Sequence, residues 1–185
     1  MAREAAVCTQ CPLSDGRTNV VFGVGNPDAE LMFIGEAPGR DEDLRGEPFV
    51  GRSGQLLDRL VLEEMGLTRT DFFIANTLMC RPPGNRDPRP DEIATCRPWL
   101  DEKLDLIAPN VVVTLGNFAT KLLLDTTEGI TRVRGRSYPF RTGVLVPTYH
   151  PAAVLRGGGA QMAQMRADLI RAKEALAGVP NAMTP

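Results

Sequence analysis

Long apolar runs are missing from this chain of 185 residues, which excludes a membrane-spanning helix. The opening stretch, Met1 to Val7, is too short and too polar for a secretory leader, so the expected location is the cytoplasm. An excess of charge is missing too: 21 basic against 23 acidic residues leave a net charge of −2. By that global measure the chain is not a nucleic-acid binder, but a local basic strip is enough to engage phosphates. The arginines do cluster, with Arg81, Arg86 and Arg89 in one stretch and Arg132, Arg134, Arg136 and Arg141 in another. Cysteine is sparse, at four residues, and without a secretion signal these argue against disulfides. Histidine is reduced to a single residue, His150.

What remains is ordinary for a globular protein: 43% hydrophobic and 24% charged residues, enough for one domain with a real core. The most unusual stretch runs from Gly35 to Gly54, crowded with glycines and charges. It follows the apolar run Leu31 to Ile34, apolar on both faces as in a parallel sheet covered on both sides. Further strands are expected at 19–23, 72–75, 111–116 and 144–149, and a hairpin or extended pair within 132–142. Helices are expected over 53–65 (closed by Gly66), from Pro90 to a stop at Pro109, over 118–124 with Asn117 as cap, and over 160–177. The last of these turns Leu169, Ile170 and Leu176 inward. Strand and helix alternate, which predicts an α/β, three-layer single domain with a central, largely parallel four-stranded sheet flanked by helices. That domain spans residues 1–177, and 178–185 form a flexible tail.

Three of the four central strands end in polar loops with chemistry-bearing residues. Glu36, Glu42 and Phe49 follow the first, Asn76 the second, and His150 the last. Alone, His150 reads as a structural histidine and Asn76 as a turn residue or cap. Strand ends at one edge of a parallel sheet converge, so together they describe one pocket. The cysteines form a second constellation. Cys8 and Cys11 make a C-x2-C pair, and Cys80 and Cys96 follow in mid-chain. Four thiolates suit zinc or an iron–sulfur cluster, and the spacing does not choose between them. The bland alternative is four small buried hydrophobes. With no spare ligand the site reads as closed and structural, stapling the N-terminus to the loop that carries Arg81.

Taken in order, the motifs Cys8-Thr9-Gln10-Cys11, Gly35-Glu36-Ala37-Pro38-Gly39 with Gly46-Glu47-Pro48-Phe49-Val50-Gly51-Arg52, Asn76 with Cys80-Arg81-Pro82-Pro83-Gly84-Asn85-Arg86 and Cys96, and His150-Pro151 with Leu155-Arg156 resemble the family 4 uracil-DNA glycosylases. The resemblance runs from Cys8 to about Ala177. It implies a [4Fe-4S] cluster on Cys8, Cys11, Cys80 and Cys96. It implies a monomer acting on uracil-containing DNA, single- or double-stranded, by hydrolysing the N-glycosidic bond of deoxyuridine.

Residue by residue, the resemblance makes Glu36, Asn76 and His150 the catalytic set. Ala37, Glu42, Phe49, Asn76 and His150 would hold uracil. Phe49 would stack on the base, Asn76 would read its N3–H and O4 edge, Glu42 would lie near C5, and His150 would donate to O2. Glu36 is the carboxylate expected to position or activate water near C1′; the superfamily often carries Asp or Asn where Ala37 stands, so that role is open to being shared. Arg81, Asn85, Arg86 and Arg156, with Arg134 or Arg136 as further phosphate candidates, are expected on DNA, with Val154 or Leu155 as the wedge that fills the vacated stack. The competing readings are a non-catalytic iron–sulfur DNA-binding module, a relative that traps abasic sites covalently, and a zinc nucleotide hydrolase.

Overall fold

Four short runs rich in Val, Ile, Leu and Phe form the centre of a sheet, because a strand buried on both faces needs apolar residues at successive positions. A computed structural model of the chain describes residues 1–178. It begins with helices α1 (Ala2–Ala6) and α2 (Leu13–Gly16), then strands β1 (Val24–Gly25) and β2 (Leu31–Gly35). Helices α3 (Arg40–Arg45) and α4 (Arg52–Met65) lead to β3 (Phe73–Asn76). A 3-10 turn at Pro83–Asn85 precedes α5 (Pro90–Ile107) and β4 (Val111–Leu115). Then come α6 (Asn117–Leu124), α7 (Ile130–Val133), β5 (Tyr138–Phe140), β6 (Gly143–Thr148), α8 (Pro151–Gly157) and α9 (Gly159–Gly178).

The sheet has six strands in the order β1-β3-β2-β4-β6-β5. The inner four are parallel, and β1 and β5 are short antiparallel edges. Alternation along each strand divides the core in two. Leu31, Phe33, Ile74, Val113 and Val146 face α4, α8 and α9, through Leu57, Leu60, Val154 and Leu169. Met32, Ile34, Ala75, Val112 and Leu145 face α5 and α6, through Leu100, Leu104 and Leu123. The result is three layers, and no described helix is long and apolar enough to cross a membrane. The chain runs from β2 outward to β3 on one side and then to β4 on the other. The order therefore reverses beside β2, and a crevice opens at the carboxyl ends of these strands.

Several expectations change in detail. The four-stranded sheet is the inner part of a six-stranded one. No strand covers 19–23. That segment donates from Val21 N–H to Met79 O at 2.8 Å, and β1 pairs only at Val24 and Gly25. Within 132–142 the first residues belong to α7, and β5 is one arm of an antiparallel hairpin whose other arm is β6, outside the expected range. Asn117 does not cap its own helix; its Oδ1 accepts from Ile130 N–H at 2.8 Å, and so anchors α7. In α9 the inward face is Met165, Asp168, Leu169 and Ala172, spaced i, i+3, i+4, i+7, which leaves Ile170 41% exposed rather than in the core. The tail expected over 178–185 lies, from residue 179 onward, outside the described residues.

Candidate active site

A cleft of about 530 Å³ lies at the carboxyl edge of the inner strands. Glu36, Ala37, Glu42, Phe49, Asn76 and His150 all line it, so the residues expected from three separate strand ends do share one pocket. Gly35 and Asn76 are direct cross-strand partners in β2 and β3. A Cβ at residue 35 would collide with Asn76 Oδ1 and stand 2.6 Å from Phe49 Cζ, so glycine is what admits the aromatic ring beside the amide.

Asn76 is 2% exposed, and its Oδ1 has no hydrogen-bond partner. A buried acceptor left empty costs about 1–3 kcal/mol, so it marks a place where a donor is expected. The His150 ring lies 5.7 Å from that of Phe49, centroid to centroid. His150 precedes α8 and caps it: Nδ1 accepts from Ala152 N–H at 3.2 Å. An accepting Nδ1 places the ring proton on Nε2. Burial, helped by the positive charge of Arg156 and opposed by Glu42, pushes the imidazole pKa down to about 4. The ring is therefore a neutral donor at physiological pH. Glu36 moves the other way. Burial, with the nearby Asp87 carboxylate, pushes its carboxyl up to about 7.

Phe49 sits in the left-handed region at φ 55, an uncommon conformation for a bulky residue. Its loop is gripped by Glu42, whose Oε1 accepts from Val50 N–H at 3.1 Å and Gly51 N–H at 3.0 Å. Glu42 thus lines the cleft but spends one oxygen on the loop backbone. Asn117, Tyr149 and Asp87 also line the cleft, and the residue pattern did not single them out. Asn117 stands at the end of β4, the one inner strand whose end had been read only as a cap; Tyr149 directly precedes His150.

The expected DNA contacts separate into groups. Of the two wedge candidates, Val154 is 1% exposed in the core and Leu155, the next residue, is 44% exposed. Arg156 lines the cleft and is exposed. Arg81 Nε donates to Asn85 Oδ1 at 2.6 Å on an exposed loop. Arg86 lines the cleft but is held by Glu92, with Nη1 donating to Oε2 at 2.9 Å. Arg134 is bound to the fully buried Asp168, Nε to Oδ2 at 2.9 Å, beside Thr148, which donates to the same oxygen at 2.8 Å. That network ties α9 to the strand end just before His150.

Cys8, Cys11, Cys80 and Cys96 line one recess, together with Arg17, Met79 and Trp99, and none is in a disulfide. Among the described residues no three His, Cys, Asp or Glu side chains are grouped so as to hold a single metal ion. Burial raises the Cys80 thiol and pushes Cys96 up to about 11, while Arg17 Nη1 donates to Cys80 Sγ at 3.4 Å. Four cysteines lining one recess, with a guanidinium against Cys80, are a donor set of the kind that holds zinc or an iron–sulfur cluster.

Comparison with known proteins adds the remaining observation. The family model described as the uracil DNA glycosylase superfamily matches residues 22–172. A type-4 uracil-DNA glycosylase of Sulfurisphaera tokodaii is 48% identical over 82% of this chain and 73% of its own length. That of Saccharolobus solfataricus is 45% identical over 97% of this chain and 87% of its own. A type-5 uracil-DNA glycosylase of Thermus thermophilus is more distant, 30% identical over 69% of this chain and 62% of its own length.

Proposed function

The chain belongs to the uracil-DNA glycosylase superfamily, with its type-4 members, and from that premise we propose how its residues divide the hydrolysis of the N-glycosidic bond of deoxyuridine in DNA. The observation that carries the reading is the buried, unpartnered Oδ1 of Asn76 in the cleft. Uracil offers N3–H to that oxygen and O4 to the amide nitrogen; cytosine offers the reverse pattern and would leave both groups opposed.

The target base leaves the stack and enters the cleft. Phe49 supports its ring, and Ala37 leaves room beside Glu36. Glu42 braces the Phe49 loop and forms the wall near C5. As the glycosidic bond breaks, its electron pair passes to N1 of uracil and negative charge spreads to O2. His150 meets that charge with Nε2–H as a neutral donor. A preorganised donor of this kind contributes about 2.7–4 kcal/mol. Glu36, as a carboxylate, favours the positive sugar and takes a proton from the water that attacks C1′. Uracil leaves as the N1 anion and takes a proton from solvent, Glu36 gives its proton back to solvent, and an abasic site remains.

Leu155 fills the vacated stack from the start of the exposed 155–160 segment, and Arg156, Arg81 and Asn85 face phosphate. Arg86, paired with Glu92, stiffens the same loop. Cys8, Cys11, Cys80 and Cys96 would hold a [4Fe-4S] cluster, with Arg17 against the thiolate charge. The resemblance to the type-4 enzymes, rather than the spacing of the thiols, favours the iron–sulfur cluster over a zinc ion. When bound it supplies a structural staple between the N-terminal segment and the β3–α5 loop. The protein works as a cytoplasmic monomer, one domain over residues 1–177.

The test is release of free uracil from a labelled single-site oligonucleotide, with U opposite G, U opposite A, and U in a single strand. Catalytic turnover is expected. Binding without release, or a covalent adduct that stops after one event, would refute hydrolysis. The single histidine is already committed through Nδ1, which favours turnover over trapping.

A further inference from the structure

Phe49 lies in the left-handed region, and part of what holds it there lies outside the cleft. Arg69, in the turn between α4 and β3, donates Nη1 to Pro48 O at 3.0 Å and Nη2 to Phe49 O at 2.6 Å. The same guanidinium is held by Asp58 of α4, Nε to Oδ1 at 2.6 Å and Nη2 to Oδ2 at 3.2 Å. The turn that presents it is closed by Asp71 Oδ2, which accepts from Thr68 N–H at 2.7 Å and Thr68 Oγ1 at 2.9 Å. Arg69 is among neither the cleft-lining residues nor the expected site residues.

Each peptide group near Phe49 is thus gripped. Glu42 takes the N–H groups of Val50 and Gly51 from one side; Arg69 takes the carbonyls of Pro48 and Phe49 from the other. Residue 54 must be glycine here, because a Cβ would run into the Phe49 carbonyl that Arg69 reaches. Only a guanidinium, planar with five donors, satisfies two carbonyls and a carboxylate at once; an ammonium in its place has the charge without the fork.

We propose that Arg69, aligned by Asp58, is a positioning residue for uracil excision: it clamps the Pro48 and Phe49 carbonyls and so fixes the Phe49 ring in its left-handed conformation under the base. The inference rests on the reading of Phe49 as the stacking residue. DNA is held mainly by phosphate contacts elsewhere, so loss of the clamp moves the excision rate rather than DNA affinity. Misplacement by about 1 Å at a reacting site costs up to about a hundredfold.

The experiment is a double-mutant cycle in single-turnover excision at saturating DNA. Phe49→Ala, Arg69→Lys and the pair are compared, with DNA affinity and thermal midpoint measured for each. Arg69→Lys is expected to slow excision by about ten- to a hundredfold with affinity for an uncleavable duplex within about threefold. In the Phe49→Ala background the same change is expected to cost less than about threefold, since there is no ring left to misplace. If Arg69→Lys costs the same factor in both backgrounds, Arg69 acts through general stability and the proposal is overturned. If Phe49→Ala is slow and Arg69→Lys is normal, the clamp alone fails. If Phe49→Ala is itself normal, the stacking role fails and takes the clamp with it. Should Arg69→Lys not fold, Asp58→Asn, which keeps the arginine but loosens its alignment, completes the same cycle with a smaller expected loss.

Discussion

Glu36 links pH to both activity and stability, and the two dependences have opposite sign. Its carboxyl is pushed up to about 7 by burial and by Asp87. If the ionised form is the active one, kcat/KM follows a single deprotonation: about a tenth of its plateau at pH 6 and about a hundredth at pH 5. A raised folded pKa also means that Glu36 favours the folded chain most when protonated. That contribution is complete below the ordinary value of 4.5 and is lost as pH rises through about 7. Glu36→Gln keeps the shape and removes the charge. It should cut excision and flatten the acid limb, yet raise the thermal midpoint at pH 8. The ceiling on the gain is about 3 kcal/mol, and solvent access to a half-buried carboxyl lowers it to about 1–2. Asp87→Asn should move the acid limb to lower pH, because it removes the second cause of the shift. The assay is single-turnover excision from pH 5 to 9 on uracil-containing duplex, paired with thermal unfolding over the same range. A limb near 7 that survives in Glu36→Gln, or a variant no more stable than the parent at pH 8, would refute the reasoning.

His150→Ala should slow single-turnover excision by about a hundred- to a thousandfold with DNA binding kept, and no histidine limb should appear between pH 5.5 and 8, since the ring is neutral there. Leu155→Ala should lower excision from duplex DNA more than from a single strand, because only the duplex has a stack to hold open; an equal loss on both would remove Leu155 from the wedge role. Lys103 is 2% exposed, its Nζ has no hydrogen-bond partner, and it lies over the Phe22 ring at 4.2 Å, within electrostatic reach of Cys96. Lys103→Met should therefore stabilise the metal-free protein by about 1–3 kcal/mol and weaken retention of a four-thiolate cluster, read as thermal midpoint and visible absorbance under chelator. The same sign in both states would show that its charge does not face the thiolates.

The inner strands were legible because burial on both faces forces apolar residues at every position, as at Leu31 to Ile34 and Val111 to Val113. The edges were not. Val24–Gly25 and Tyr138–Phe140 are strands only because β3 and β6 offer them a ladder, and that information is not local. Helix α3 escaped for another reason: its one large apolar residue, Leu44, is 56% exposed, and Asp43 fastens it to the chain by accepting from Thr18 N–H at 2.8 Å. Within the site, Glu36, Asn76 and His150 were readable as residues at strand ends. The clamp on Phe49 was not, since Asp58 and Arg69 look like any surface ion pair in sequence. Asp168 left a trace that was missed, a carboxylate on the apolar face of α9 three residues after Met165.

The features that cost stability are gathered at the cleft: an empty acceptor on Asn76, a carboxyl at Glu36 that resists ionisation, a phenylalanine at φ 55, and an imidazole held neutral. None has an apolar period or a propensity to betray it. Each persists because the sheet behind it is covered on both faces, which supplies the favourable burial that offsets local strain. Gly35 stands where the two demands meet. Its backbone belongs to β2 and pairs with Asn76, while its missing side chain is the space into which Phe49 turns. An alanine there would suit the strand better but drive its Cβ into the buried Phe49 ring and the Asn76 amide. It would also separate the ring from the amide, and a base cannot be stacked and read at one place unless those two groups share it.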